Sequence, residues 1–414
     1  MNIVIFLDHK RIRTIPDEIQ FCRVVRLAFL EVTMYPGNFF IRVALVFALA
    51  IHIGPAARAA ESDVVVGQIG PFSVYAAPDA QEVNVGIQAL FSKVNAAGGV
   101  HGRRLSLVAL DDKFNVQEFE QQFNRLMQLH PAAIILPIGS ATLQHMLDAK
   151  LLDKHDVVVM GAIPGLSSFR KPGHPHLFHL RAGDQQQVDK IVANVQAMGI
   201  VRMHVLYQPI PVGIANLAAA GAATKATGGQ VEMVALSAQD TDVELTIAAK
   251  KIASASPQSV LVLGTSRFMA DALHALRVAG VHQFVFAMSY LSPAMAVKVA
   301  GVEGARGLGI AQTFPSPTGV NLPLQREFRA AMGTYAPNVQ TPTQFHMEGY
   351  VTAKVLVEGL KRAAPDSSAT ALAKALRERG RMDLGGFRVD FSSGNEGGTW
   401  VDIGVMGSSG LLRY

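Results

Sequence analysis

From Asp63 onward the chain repeats a single alternation, a short β-branched run followed by an amphipathic stretch at helical spacing. Strands are expected at Val64–Ile69, Leu105–Leu110, Ala132–Pro137 and Val157–Met160, with helices over Ala80–Asn95, Val116–Leu129 and about Thr142–Leu152 between them. In Ala80–Asn95 the apolar residues Val83, Ile87, Leu90, Phe91 and Val94 share one helical face, and the glycines at 98 and 99 permit a left-handed cap. The pattern restarts at Gly183. Helices at Gln185–Met198, Ile214–Thr227, Val243–Ala255 and Arg267–Ala279 alternate with strands at Met203–Tyr207, Val231–Leu236, Ser259–Leu263 and Phe284–Ala287. Strand–helix alternation implies parallel sheets with helices on both faces. About ten such units are too many for one sheet, so an α/β fold of two doubly wound lobes is expected. Lobe I is expected over residues 61–182 and 312–382, and lobe II over 183–311 and 383–414. No short-period repeat interrupts this order.

The first 60 residues stand apart. Phe39–Ile53 is an apolar run broken by Arg42, shorter than the roughly 20 residues a membrane span needs. It is followed by Gly54-Pro55 and by Ala57-Arg58-Ala59-Ala60, small residues at the spacing a signal peptidase accepts. Residues 1–60 are therefore expected to be an extension plus a signal peptide. Translation is expected to start at Met34, with cleavage after Ala59 or Ala60. An uncleaved anchor helix is the rival reading. Cys22, the single cysteine, lies in this region, so cleavage leaves an exported chain without disulfides. Seven of the 37 basic and four of the 32 acidic residues also lie here, leaving 30 against 28. That balance, with no basic cluster downstream, excludes nucleic acid as a partner.

Signatures of catalysis are missing: the sequence holds no nucleophile elbow, no Walker loop and no G-x-G-x-x-G between strand and helix. His174, His176 and His179 form either a metal-binding trio or a solvated turn, and strand alternation would point His176 and His179 apart. Asp111-Asp112 could serve acid–base chemistry or satisfy the donors of the following turn. No cofactor is expected. Ligands of doubly wound sheets bind where loops leave the carboxyl ends of strands. Candidate contacts on lobe I are Ser73, Tyr75 and Asp79, then Gly139, Ser140, Ala141 and Thr142, then Ala162, Ile163, Pro164 and Gly165. Tyr207, Thr265, Ser289 and Tyr290 face them from lobe II. At Pro137–Leu143 a strand ends, Gly139 allows close approach, and hydroxyls stand beside the positive end of a helix. This loop either holds a small anion or caps its own helix. Gly161–Gly165 ends the adjacent strand in the same way, which points to one shared cleft. Met288, Tyr290, Phe268 and Tyr207 either favour an apolar or aromatic ligand body or pack the core.

With these residues the chain resembles the leucine/isoleucine/valine-binding family of type I periplasmic binding proteins, from about Asp63 to the C-terminus. The resemblance is carried by Gly67–Ser73 (GQIGPFS), Asn95–Arg104 (NAAGGVHGRR), Asp111-Asp112, Gly139–Leu143 (GSATL), Phe178–Ala182 (FHLRA) and Glu348-Gly349-Tyr350, in that order. It implies two lobes joined by three crossing strands that close on a small ligand. It also implies that the Ser140 hydroxyl and nearby amides bind a ligand carboxylate, with further contacts from Ala162–Gly165. Two departures bear on the ligand. Pro164 stands where a threonine is common, removing a hydroxyl and an N–H. The loop Ala287–Pro293 (AMSYLSP) lacks the acid with which amino-acid binders pair the ligand ammonium. A buried ammonium without counter-charge is disfavoured, so a carboxylate or neutral polar ligand is expected, with Asp79 the fallback counter-charge for an amino acid. The expected protein is a periplasmic, monomeric solute-binding protein, not an enzyme. Its partners would be a small-molecule ligand and the permease of an ABC importer in the inner membrane. A ligand-loaded sensor docking on a membrane receptor is the first alternative, and an α/β enzyme the second.

Overall fold

The central strands are rich in Val and Ile because both of their faces are buried, which rewards branched side chains on the two sides of the pleat. In β1 (Val64–Gly70), Val64 and Val66 enter one core layer while Ile69 enters the other. The computed structural model describes residues 63–74, 78–364 and 368–414, the side chains of Pro78 and Asp79 excepted. The expected signal peptide with its start at Met34, the contact Tyr75 and the Asp79 side chain lie outside the described residues.

The chain continues through α1 (Pro78–Ala96), β2 (Leu105–Asp111), α2 (Val116–Met127), β3 (Ala133–Ile135), α3 (Ser140–Asp148), α4 (Leu151–Lys154), β4 (Val158–Met160) and β5 (Leu177–Phe178). The five strands form one parallel sheet in the order β2-β1-β3-β4-β5. The single helix expected over Thr142–Leu152 is two, because Lys150 takes a left-handed conformation with φ 54° and breaks it. The break matters less than the start: the first helix begins at Ser140 rather than Thr142, with Gly139 as its N-cap.

Lobe II follows: α5 (Asp184–Ala197), β6 (Arg202–Tyr207), α6 (Pro211–Ala226), β7 (Glu232–Ser237), α7 (Asp242–Ser254), β8 (Ser259–Leu263), α8 (Ser266–Val278), β9 (Phe284–Ala287), α9 (Pro293–Ala305) and β10 (Leu308–Gln312). Its sheet runs β14-β13-β10-β9-β8-β6-β7, parallel except for the antiparallel edge strands β13 (Asp402–Met406) and β14 (Leu412–Arg413). Val64–Ile69 and Met203–Tyr207 therefore lie in different sheets, each with its own core.

Between the two passages through lobe II the chain returns to lobe I as α10 (Pro323–Tyr335), α11 (Gln344–Ala363) and α12 (Ala369–Glu378), then a hairpin of β11 (Arg381–Asp383) and β12 (Arg388–Asp390). The final crossing, expected at residue 383, comes after this hairpin. Leu384, Phe387, Val389 and Phe391 are buried in the first core, and apolar contact with the lobe II core resumes at Val401. The first and last crossings pair with each other: His179 N–H donates to the Asn395 carbonyl at 2.8 Å, and Gly397 N–H to the His179 carbonyl at 2.8 Å. Among the described residues no helix is long and apolar enough to cross a membrane.

Candidate functional site

The carboxyl ends of the lobe I strands carry two glycine-bounded loops side by side. The first leaves β3. Gly139 takes φ 120°, open only to glycine, and turns the chain into α3. Ser140 occupies the first helical position, so its hydroxyl does not cap the helix. It is half-buried, and among the described residues nothing is bonded to it. The first intrahelical bond comes from Leu143 N–H to the Gly139 carbonyl at 3.0 Å. The N–H groups of Ser140, Ala141 and Thr142 precede it and have no partner within the helix. They make this end of α3 partially positive. Thr142 plays another part than the one expected: its buried hydroxyl donates to the Ile138 and Gly139 carbonyls at 3.2 and 3.0 Å, holding the turn.

The second loop leaves β4, and its polar groups are taken. Ile163 N–H donates to the Pro137 carbonyl at 3.1 Å, and the Ile163 carbonyl accepts from Arg181 Nη1 at 3.3 Å. The Gly165 carbonyl accepts from Asp184 N–H at 2.9 Å, and Gly165 N–H donates to the Tyr290 hydroxyl at 2.8 Å. Ala162 and Pro164 are buried. Gly165 must be glycine, since a Cβ there would stand 2.1 Å from Asp184 Oδ1.

Behind this loop lies a buried cluster of ionisable side chains the sequence did not announce. Tyr290, from lobe II, donates to Asp184 Oδ1 at 2.5 Å, and the Arg181 guanidinium stands 5.2 Å from its ring centroid. Arg181 pairs with Glu348 of α11 through two 3.1 Å contacts, both side chains fully buried. Arg170 donates to the Arg181 carbonyl at 3.1 Å and pairs with Glu396 at 3.3 Å. Burial pushes the Asp184 carboxyl up, against the pull of Tyr290, Arg170 and Arg181. The acid absent from Ala287–Pro293 thus has a counterpart in space, contributed by the start of α5. Its signal in the sequence, an isolated Asp three residues after Arg181, is too common to stand out.

The lobe II contacts are likewise partly committed. Thr265 is the N-cap of α8, accepting from Phe268 N–H at 3.2 Å, while its own N–H donates to Gln208 Oε1 at 3.0 Å. Ser289 is buried, with its N–H donated to Gln187 Oε1 at 3.1 Å. Phe268 and Met288 belong to the lobe II core, Tyr207 is half-buried against it, and Tyr290 packs against both lobes' cores. On lobe I, exposed Ser73 donates its N–H to Asp111 Oδ1 at 3.4 Å.

The other motifs resolve as structure. Asp112 is buried and accepts from Phe114 N–H at 2.9 Å; burial pushes its carboxyl up to about 6. His174 contacts Asp153 at 3.1 Å on the surface, while His179 is buried in the first crossing. Among the described residues no group of His, Cys, Asp and Glu could hold a metal ion.

Comparison with known proteins is consistent with this architecture. A family model described as periplasmic binding protein matches residues 63–402. An extracellular ligand-binding receptor from Verminephrobacter eiseniae is 44% identical, with 85% of this chain and 100% of that one covered and a TM-score of 0.81. A substrate-binding periplasmic protein from Ralstonia solanacearum is 27% identical over 84% of this chain and 99% of that one, TM-score 0.77. A possible leucine/isoleucine/valine-binding protein from Rhodopirellula baltica shares the fold at 20% identity, covering 87% and 98%, TM-score 0.76. No curated protein matches the chain. The matched family and these relatives are substrate-binding proteins, not enzymes.

Proposed function

The chain belongs to the periplasmic binding protein family, and on that premise we propose that it captures a small carboxylate or acceptor-rich neutral molecule between its lobes for an ABC importer. The ligand's anionic end meets the start of α3. What supports this reading is the contrast at that position: an unbonded Ser140 hydroxyl beside three N–H groups without helical partners, at the helix end that favours negative charge. Lobe closure would exclude water and strengthen these contacts. The protein works as a monomer in the periplasm, after removal of the expected signal peptide, and delivers its ligand to the permease in the inner membrane.

A thermal-shift screen tests the ligand class. Organic acids lacking an α-amino group should raise the melting temperature by several degrees at saturation, and by more than leucine or valine does. Stabilisation grows as RT ln(1 + [L]/Kd). Should leucine, isoleucine or valine give the largest shift, the reading fails at the ammonium end. Asp184 is then the counter-charge to remove first, as Asp184→Asn.

A further inference from the structure

Between β2 and α2 the backbone does something costly for an ordinary loop. Lys113 and Phe114 are consecutive, and both take left-handed conformations, φ 51° and 57°. For a bulky L-residue this region is an outlier. The strain is held by two carboxylates: Asp111 Oδ1 accepts from Lys113 N–H at 3.0 Å, and Asp112 Oδ1 from Phe114 N–H at 2.9 Å. The result is an aromatic side chain left 52% exposed.

Phe114 immediately precedes Asn115, the N-cap of α2. An apolar residue at that position commonly packs on the helix's first turns, here against Phe119. Phe119 instead pairs with Phe123, at 6.1 Å between ring centroids, and Phe114 is left exposed. Its Cε2 lies 3.5 Å from where a Cβ on Gly139 would stand. The ring therefore lies over the glycine that introduces Ser140. The third loop of this wall is tied in as well, since Ser73 N–H donates to the same Asp111 carboxylate. Meanwhile two of the apolar residues that could have met a ligand from lobe II, Phe268 and Met288, are spent in the core.

We infer that Phe114 is a specificity-determining residue that forms the apolar wall of the ligand site, and that the ligand is a carboxylate with an aromatic or extended aliphatic body. This rests on the carboxylate reading of the Ser140 loop. The acid group would meet the start of α3 while the body lies against the Phe114 ring, excluded from water.

The test compares wild type, Phe114→Ala and Phe114→Leu by calorimetry. The probes are phenylacetate, 3-phenylpropionate and hexanoate on one side, lactate and succinate on the other. Wild type should bind the first group more tightly. Phe114→Ala should weaken that group about tenfold while leaving lactate and succinate within twofold, and Phe114→Leu should keep hexanoate. Equal binding of the apolar acids by wild type and Phe114→Ala overturns the inference and leaves the carboxylate reading intact. Preference of wild type for lactate or succinate has the same consequence. Binding of no carboxylate by wild type overturns both.

Discussion

The loops after β3 and β4 look alike in sequence and serve opposite ends. Each leaves a buried strand, each holds a glycine at a tight position, and they lie on neighbouring strands of one sheet. At Gly139–Thr142 the first-turn amides and the Ser140 hydroxyl have no partner among the described residues. At Ile163–Gly165 four backbone groups are taken by Pro137, Arg181, Asp184 and Tyr290. Two of those partners come from lobe II. On the function proposed here the first loop is the one left to recognise a ligand, while the second joins the lobes. Availability of donors, rather than their presence in a glycine-bounded loop, separates a binding loop from a structural one.

The largest effect should come from breaking the cluster behind the second loop. Arg181→Ala leaves Glu348 buried without its partner, a situation that costs about 3–5 kcal/mol. Urea unfolding should show that loss, and Arg181→Met with Glu348→Leu should restore much of it. A single variant as stable as wild type would mean the second loop is not held by this pair.

Acid should attack the same side of the comparison. The His179 imidazole is pushed down to about 3 by burial, with Arg170 adding its charge, against an ordinary 6.5. A group whose folded value lies below its unfolded one supplies stability above pH 6.5 that is lost as the pH falls toward 3. His346, pushed down to about 4 by burial, acts in the same sense. Asp112, pushed up to about 6, acts in reverse, costing stability as the pH rises from 3.8 to 6. Replacing His179 by Gln should remove about 2–4 kcal/mol of the acid-side loss. Unfolding free energies measured between pH 3 and 7 would show an unchanged slope if His179 ionises freely in the fold.

The smallest effect on stability, and the most telling for function, belongs to the first loop. Ser140→Ala should leave the ligand-free melting temperature unchanged and weaken a bound carboxylate ten- to hundredfold, the loss of a hydrogen bond to a charged group worth about 1.5–3 kcal/mol. Gly165→Ala should do the reverse, lowering stability through its collision with Asp184. Calorimetry paired with thermal melts separates the two. If Ser140→Ala melts early and binds normally, the loops have been assigned the wrong way round.

Much of the molecule was legible without coordinates. Strand and helix positions from Val64 to Ala287 fall within a few residues of those expected, because apolar periodicity reports burial and burial decides secondary structure here. The two parallel-sheet lobes follow from the alternation itself. The candidate site was legible only as a set of loops. Ser140 and Thr142 carry equivalent hydroxyls two residues apart, yet one is free and the other turned back on the chain, a difference of helix register that no pattern of residue types encodes.

The sequence by itself determined which segments are strands, which ends of those strands carry loops, and which residues are chemically able to bind. Each follows from local periodicity and side-chain chemistry. Tertiary structure alone decided which donors remain available. Arg181 and Glu348 lie 167 positions apart, Gly165 and Tyr290 125. Whether a polar group is spent or free depends on what long-range packing brings within about 3 Å of it. The position of Phe114 over Gly139 is of the same kind: its strained backbone is held locally by Asp111 and Asp112, but its place beside Gly139 comes from packing between the loops after β2 and β3.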